Sequence, residues 1–311
     1  MRALFFGTPL IAVPALEALA DIAEVAAVVC QPDRPAGRGL GVQAPPVKQC
    51  AERLGIEVAQ PEKIKTAEFV GWVESLAVDV ALVMAYGRIF GASLLHAPAR
   101  GCINLHASIL PRYRGAAPIN WAIVRGETET GISLMQMDEG CDTGPVFSRH
   151  AIDIGPNETA GELSERLATL AARVVREDLR RAVAGELAPE PQDDSAATHA
   201  PMLQKSDGLL RFEMPARAVH DQARGLHPWP GAFTFLEGKR FKFVATRLGE
   251  GGEGAPGTVL RIDKGAAQVA CGEGTIELLV GQIEGKKALD ATQLAAGRTL
   301  RAGMRFQSRS T

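Results

Sequence analysis

Short continuous apolar runs recur along the first part of the chain: ALFF at 3–6, VAAVVC at 25–30, VDVALVMA at 78–85 and CINLH at 102–106. Between them lie stretches with helical spacing, such as Val13, Leu16 and Leu19 on one face. Uninterrupted apolar strands that alternate with amphipathic helices predict a parallel sheet covered on both sides, a Rossmann-like doubly wound α/β domain. Such a sheet takes its ligands beyond the carboxyl ends of its strands, near a topological switch point. GISLMQM at 131–137 alternates loosely and reads as another strand, with VFSRHAIDI at 146–154 as its antiparallel edge. Asn157, Glu158 and Thr159 then open a long helix. Its apolar stripe includes Leu163, Leu167, Leu170, Val174 and Leu179, and it ends near Gly185.

The pattern changes after that glycine. Residues 186–204 are rich in Pro, Ala, Asp, Ser and Thr and have no sustained apolar period, so they read as a linker over the surface. PARAVHDQARGL at 215–226 reads as a short helix. The rest consists of short strands punctuated by glycine, which predicts a small β-barrel of OB-like type. The expected organisation is a catalytic domain over 1–185, a linker over 186–204 and a β-barrel over 205–311. The 311 residues exceed what a single average core holds, which agrees with two domains.

Composition narrows the function classes. The formal net charge is −2, so any contact with nucleic acid needs a local basic patch. Cys30, Cys50, Cys102, Cys141 and Cys271 are scattered, with no C-x-x-C and no metal-ligand His spacing. They read as reduced, small, buried side chains of a cytoplasmic protein that needs no metal. The apolar run at the N-terminus is broken by Gly7-Thr8-Pro9, and no segment has the roughly 20 apolar residues that cross a bilayer. A soluble protein with no membrane partner is expected.

The densest polar cluster lies between Asn104 and Asp142. Asn104 and His106 are one residue apart at the end of an apolar run, so an extended backbone points both side chains to one face. Asp142 sits in MDEGCDTGP, a glycine-bounded loop after another strand, where it is placed to orient His106. Each residue also has a plain structural reading: a hydrogen-bonded histidine, a turn-closing asparagine, an aspartate capping Thr-Gly. Gly7-Thr8-Pro9 lacks the G-x-G-x-x-G spacing of a dinucleotide site and reads as a tight turn.

The run NLHASILPRYRGAAPINWAI at 104–123, with MQMDEGCDTGP at 135–145, resembles the paired signatures of the folate-dependent formyltransferases. The resemblance implies that Asn104, His106 and Asp142 form the catalytic trio. It also implies 10-formyltetrahydrofolate as co-substrate and an amine as acceptor. Asn104 and a protonated His106 are then donors to the oxygen on which negative charge develops, and His106 shuttles the amine's proton. In this family the folate lies against a loop matching VMAYGRI. That implicates Met84, Ala85, Tyr86, Gly87 and Ile89, together with Ser108, Ile109, Leu110 and Pro111. From the residues alone, VMAYG is a strand running into a glycine turn.

The acceptor is read from two further segments. QPDRPAGRG at 31–39 resembles the loop of those family members that formylate methionine carried on initiator tRNA, where it enters the acceptor stem. That implicates Arg34 and Arg38. The usual basic residues after GRG are replaced here by Leu40, Gly41 and Val42. LHPWPGAF at 226–233 and GKKALDATQLAAG at 285–297 resemble the carboxyl-terminal barrel of the same members. Lys286, Lys287 and Arg298 belong to a locally basic stretch that fits phosphate contact, and Trp229 reads as a packing anchor. The implied partner is methionyl initiator tRNA, bound by a monomer. A sugar-nucleotide amine acceptor, or a non-catalytic RNA-binding role, are the competing readings.

Overall fold

A computed structural model describes residues 1–36 and 41–308. The chain forms two compact units. One holds Met1–Pro118, Thr130–Ile152 and Ser164–Ala200; the other holds Ile119–Glu129, Asp153–Leu163 and Pro201–Thr311.

The first unit is built on a seven-stranded sheet. Its order is Val146–Asp153, Glu129–Gln136, Cys102–His106, Val80–Met84, Arg2–Gly7, Glu24–Val29, Val58–Ala59. The strands from Cys102–His106 to Val58–Ala59 are all parallel, and Glu129–Gln136 pairs antiparallel to Cys102–His106. The chain runs outward from Arg2–Gly7 in one direction and resumes at Val80–Met84 on its other side, so the switch point lies between these two strands. Their carboxyl ends, Gly7 and Met84, are paired. Val80–Met84 is buried at every position, the signature of a strand covered on both faces. Phe6, Phe69, Tyr86 and Phe90 pack edge to face beneath the switch point, an arrangement aromatic quadrupoles favour.

The long helix forms as its stripe requires, over Ala160–Val174 and on through 175–184, and Gly185 ends it in the left-handed conformation at φ 79°. Leu163, Leu167, Leu170, Val174 and Leu179 are all buried. The sequence reading missed the two-residue edge strand Val58–Ala59 and the hairpin of Arg34–Ala36 with Gly41–Gln43. Both are too short to carry a period.

The second unit has an antiparallel sheet in the order Ala232–Leu236, Lys239–Leu248, Thr275–Ile283, Ala266–Ala270, Val259–Asp263. Single bridges from Arg305 to Thr258 and from Gln307 to Phe235 join its two edges. The end of the chain thus closes the sheet into a barrel and removes its open edges. Phe306, between those bridges, stacks against Phe212, Phe241 and Phe243 in the core. Helix Ala216–Gly225 presents Val219, His220, Asp221, Ala223 and Arg224 to the interior. Arg224 donates to Asp221 Oδ1 at 2.7 Å and to the carbonyls of Gly155 and Glu158 at 3.0 and 2.9 Å. Burial of this ion pair is compensated by those extra bonds.

Two expectations are corrected. Trp229 is 53% exposed and no packing anchor, because the turn after helix Ala216–Gly225 carries it outward. Cys141 is also exposed, since it sits in a loop, whereas the other four cysteines are buried. Burial pushes the thiol of Cys30 up to about 11 and those of Cys102 and Cys271 up to about 12.

Candidate active site

Strand Cys102–His106 supplies two polar groups at its carboxyl end. Asn104 and His106 point to the same side, as alternation dictates. The loop after Glu129–Gln136 brings Asp142 back to meet them. Its Oδ1 is 3.5 Å from Asn104 Nδ2 and 3.5 Å from His106 Nδ1. Its Oδ2 accepts the Gly115 N–H at 2.9 Å. The sequence-predicted trio therefore converges on one carboxylate, within one unit. His106 is 6% exposed and Asp142 18%, so the cluster is partly shielded from water yet open on the aspartate side.

The opposite face of the imidazole is also held. His106 Nε2 lies 2.9 Å from the carbonyl oxygen of Tyr113. A carbonyl only accepts, so Nε2 carries a hydrogen, and Nδ1 is the nitrogen that faces Asp142.

The loop that carries Asp142 is closed from several sides. Asp138 accepts from Gly140 N at 3.1 Å and from Thr143 Oγ1 at 2.8 and 2.9 Å. Gly144 has no room for a side chain, because a Cβ there would lie 2.0 Å from the Gln136 carbonyl. Asp142 itself is left-handed at φ 56°, an uncommon state for a residue other than glycine.

Residues 84–89 follow strand Val80–Met84. Ala85 and Gly87 are left-handed at φ 50° and 80°, so the chain turns sharply. Tyr86 points inward: its ring centroid is 5.2 Å from that of Phe6, and burial pushes its hydroxyl up to about 12. Met84 is buried, while Ala85, Gly87 and Ile89 face solvent, with Ile89 70% exposed. The loop thus offers main-chain groups and an apolar side chain, which suits a flat, hydrogen-bonding heterocycle. In the 108–111 turn, Ser108 Oγ donates to the Arg112 carbonyl at 2.6 Å and Leu110 N donates to Ser133 Oγ at 3.0 Å. Ser108 and Leu110 are buried, and Ile109 and Pro111 half-buried.

Arg34 is exposed on the short hairpin, whereas Arg38 lies outside the described residues. The base of that hairpin is tied down by Lys48, which donates to Asp33 at 2.8 and 3.1 Å and to Gln60 Oε1 at 2.9 Å. These bonds hold the Asp33 carboxyl below its ordinary range. Gln31 reaches the neighbouring loop, donating to the Tyr86 carbonyl at 3.1 Å and accepting from Arg88 at 3.1 and 3.0 Å. Lys286, Lys287 and Arg298 are exposed on the second unit.

Sequence reasoning missed the supports of the trio: the Tyr113 carbonyl, the Gly115 N–H, and Gln192. The first two are main-chain groups, which no side-chain pattern announces. Gln192 lies in the stretch read as a surface linker. That stretch is mostly exposed but bonded along its length: Glu190 bridges Val146, Gln192 bonds the 142–144 loop, and His199–Ala200 pairs parallel with Arg114–Gly115. Hydrogen bonds rather than an apolar period hold the segment down.

Among the described residues, no group of three or more His, Cys, Asp or Glu is placed to hold a metal, and no helix is long and apolar enough to cross a membrane.

Residues 1–179 match the family model described as formyl transferase, and 202–299 match formyl transferase, C-terminal domain. A methionyl-tRNA formyltransferase of Sorangium cellulosum is 62% identical over 98% of this chain and 99% of its own length. One from Geobacter sulfurreducens is 48% identical over 98% and 96%. Among solved structures, a sugar 3N-formyl transferase superposes with TM-score 0.69 at 16% identity, covering 92% of this chain and 99% of its own. A methionyl-tRNA formyltransferase from Clostridium thermocellum does so with TM-score 0.56 at 17% identity, over 81% and 95%.

Proposed function

The chain belongs to the formyl transferase family, and from that premise we propose that Asn104, His106 and Asp142 carry the reaction. The enzyme transfers the formyl group of 10-formyltetrahydrofolate to the amino group of methionyl initiator tRNA, giving the formylated initiator. The observation behind the assignment of residues is the shared position of Asn104 Nδ2 and His106 Nδ1, each 3.5 Å from Asp142 Oδ1.

The bound folate supplies the electrophilic formyl carbon. The chain's own groups do the rest. Asn104 carries two amide hydrogens; one is directed at Asp142, which leaves the other for the oxygen that gains charge. His106 takes the proton of the attacking amine at Nδ1 and gives it to the departing folate nitrogen as the tetrahedral intermediate collapses and the formyl C–N bond to the folate breaks. Asp142 stabilises the imidazolium that results and fixes its orientation, while the Tyr113 carbonyl keeps Nε2–H engaged throughout. Ala85, Gly87 and Ile89 would hold the folate through their exposed main-chain groups and the Ile89 side chain, with Met84 and Tyr86 anchoring the loop from below. Ser108, Ile109, Leu110 and Pro111 would form the opposite wall.

Arg34 and Arg38 would meet the acceptor stem, and Lys286, Lys287 and Arg298 its phosphates. The functional division runs 1–185 for chemistry, 186–204 as connector and 205–311 for tRNA. The protein would act as a monomer in the cytoplasm, where charged initiator tRNA is present and the second unit enlarges the acceptor surface.

The test is formyl transfer from 10-formyltetrahydrofolate to methionyl initiator tRNA, with an amino-sugar nucleotide as the parallel acceptor. Transfer to tRNA that vanishes in His106→Ala supports acceptor and site together. Transfer to the sugar alone overturns the acceptor.

A further inference from the structure

Residues 113–115 contact the catalytic trio by three separate routes. The Tyr113 carbonyl holds His106 Nε2, and the Gly115 N–H holds Asp142 Oδ2. The third route runs through side chains. The Arg114 guanidinium, almost fully buried, donates from Nε and Nη2 to Gln192 Oε1 at 3.0 and 2.9 Å. Gln192 Nε2 in turn donates to the carbonyls of Asp142 at 2.8 Å and Gly144 at 2.6 Å. The tripeptide is itself fixed by the same segment. Tyr113 N donates to Thr198 Oγ1 at 2.9 Å, Arg114 N to the Thr198 carbonyl at 2.9 Å, and Ala117 N to the Ala200 carbonyl at 3.2 Å.

On the reading that Asp142 is catalytic, we infer that Gln192 is a positioning residue, which holds Asp142 in its working geometry through the carbonyls on either side of Thr143. Three facts carry this. Asp142 is left-handed at φ 56°, a state that costs a residue with a Cβ some energy and is held more firmly when its neighbours are bonded. The restraint is specific, because both amide hydrogens of Gln192 are spent on the loop and its oxygen on Arg114. A flipped amide would set oxygen against two carbonyls and NH2 against a guanidinium, so one orientation alone is stable. Finally, Arg114 lies between the two residues that fix His106 and Asp142 through their main chains, so one short segment sets the spacing of base and carboxylate. A loosened loop would move the Asp142 carboxylate off His106 Nδ1 and Asn104 Nδ2 together. The proton relay would suffer, with little change where the folate binds.

Gln192→Glu separates positioning from plain structural support. Glutamate keeps, and strengthens by charge, the partner of Arg114, but it turns an oxygen toward the Asp142 and Gly144 carbonyls. We expect kcat with methionyl initiator tRNA to fall about 10- to 100-fold in Gln192→Glu and Gln192→Leu, since small misplacements of catalytic groups have effects of this size. KM for 10-formyltetrahydrofolate should stay near that of the wild type. The thermal midpoint of Gln192→Glu should not drop. Hydrogen exchange at the Gly115 amide should speed up, because its acceptor moves. Wild-type kcat in Gln192→Glu, or unchanged exchange at Gly115, overturns the inference. Absence of tRNA formylation by the wild type would instead overturn the functional reading, and the exchange at Gly115 would still decide the role of Gln192.

Discussion

His106 Nε2 and the main-chain oxygen of Tyr113 are 2.9 Å apart, and this contact makes the two ring nitrogens chemically unequal. Because the carbonyl has no proton to give, the hydrogen stays on Nε2 in both charge states of the ring. Nδ1 is left facing Asp142 Oδ1 at 3.5 Å. A main-chain group thereby fixes which ring nitrogen faces Asp142.

Replacing His106 by alanine removes the proposed proton acceptor. Turnover in formyl transfer should fall about 100- to 10,000-fold. Binding of 10-formyltetrahydrofolate, measured by calorimetry, should persist, because the proposed folate loop at 84–89 hangs on Tyr86 and Gln31 rather than on His106. Near-normal turnover in His106→Ala would remove it from the chemistry.

The pairing of Asn104 with His106 was legible from the sequence because a strand fixes their relation, whereas Asp142 was tied to them through the resemblance of its loop to the family's second signature. Two residues of like orientation on one strand need no tertiary information. The parallel sheet was legible for a similar reason, as Val80–Met84 is apolar at every position. What escaped was structure made by hydrogen bonds. Gln192 and Thr198 lie among Pro, Ala, Asp and Ser with no period, yet they clamp the 113–115 segment. The hairpin base at Asp33, Lys48 and Gln60 joins residues 12 to 27 positions apart, a link no local pattern contains. Trp229 was misread because a turn decides its exposure, and the sequence does not say which way that turn faces.

The basic residues of the second unit should act on affinity and not on chemistry. Alanine at Lys286, Lys287 and Arg298 together should raise KM for methionyl initiator tRNA while leaving kcat unchanged. Each lost phosphate contact should reduce the slope of log affinity against log salt by roughly 0.9 or somewhat less. Filter binding or fluorescence anisotropy at several salt concentrations reads both quantities. An unaltered salt slope in the triple variant would place the tRNA elsewhere.

His220 makes the second unit sensitive to acid. It is fully buried, with Nδ1 2.9 Å from Thr246 Oγ1 and Nε2 3.1 Å from the Pro156 carbonyl. Desolvation lowers its pKa below the ordinary value of about 6.5, and the nearby Arg224 and Arg217 lower it further, while the Pro156 carbonyl and Asp221 oppose them. The unfolded chain therefore takes up the proton more readily than the folded one. The stability that neutral His220 contributes is complete above about pH 6.5 and is lost as pH falls from there through the folded value. Thermal midpoints of the wild type and His220→Gln, compared between neutral and mildly acidic buffer, should converge as the pH drops. Parallel curves would show that His220 does not titrate differently in the two states.

Phe306 should be the side chain on which barrel closure most depends. It is 2% exposed, and its ring centroid lies 5.8, 5.1 and 5.0 Å from those of Phe212, Phe241 and Phe243. Its N–H donates to the Gly257 carbonyl at 2.9 Å, and its neighbours Arg305 and Gln307 bridge the two sheet edges. Truncation to alanine leaves a cavity among three rings and frees the terminal segment that closes the sheet, at a cost of about 3–5 kcal/mol. Calorimetry should show a lowered unfolding transition for Phe306→Ala. Binding of 10-formyltetrahydrofolate should be retained at temperatures below it, since the proposed folate residues belong to the first unit. The loss of the two edges' common partner should also speed hydrogen exchange at the Phe235 amide, which donates to the Gln307 carbonyl at 3.0 Å. If the midpoint falls while exchange at Phe235 stays as slow as in the wild type, Phe306 fills the core without holding the barrel closed.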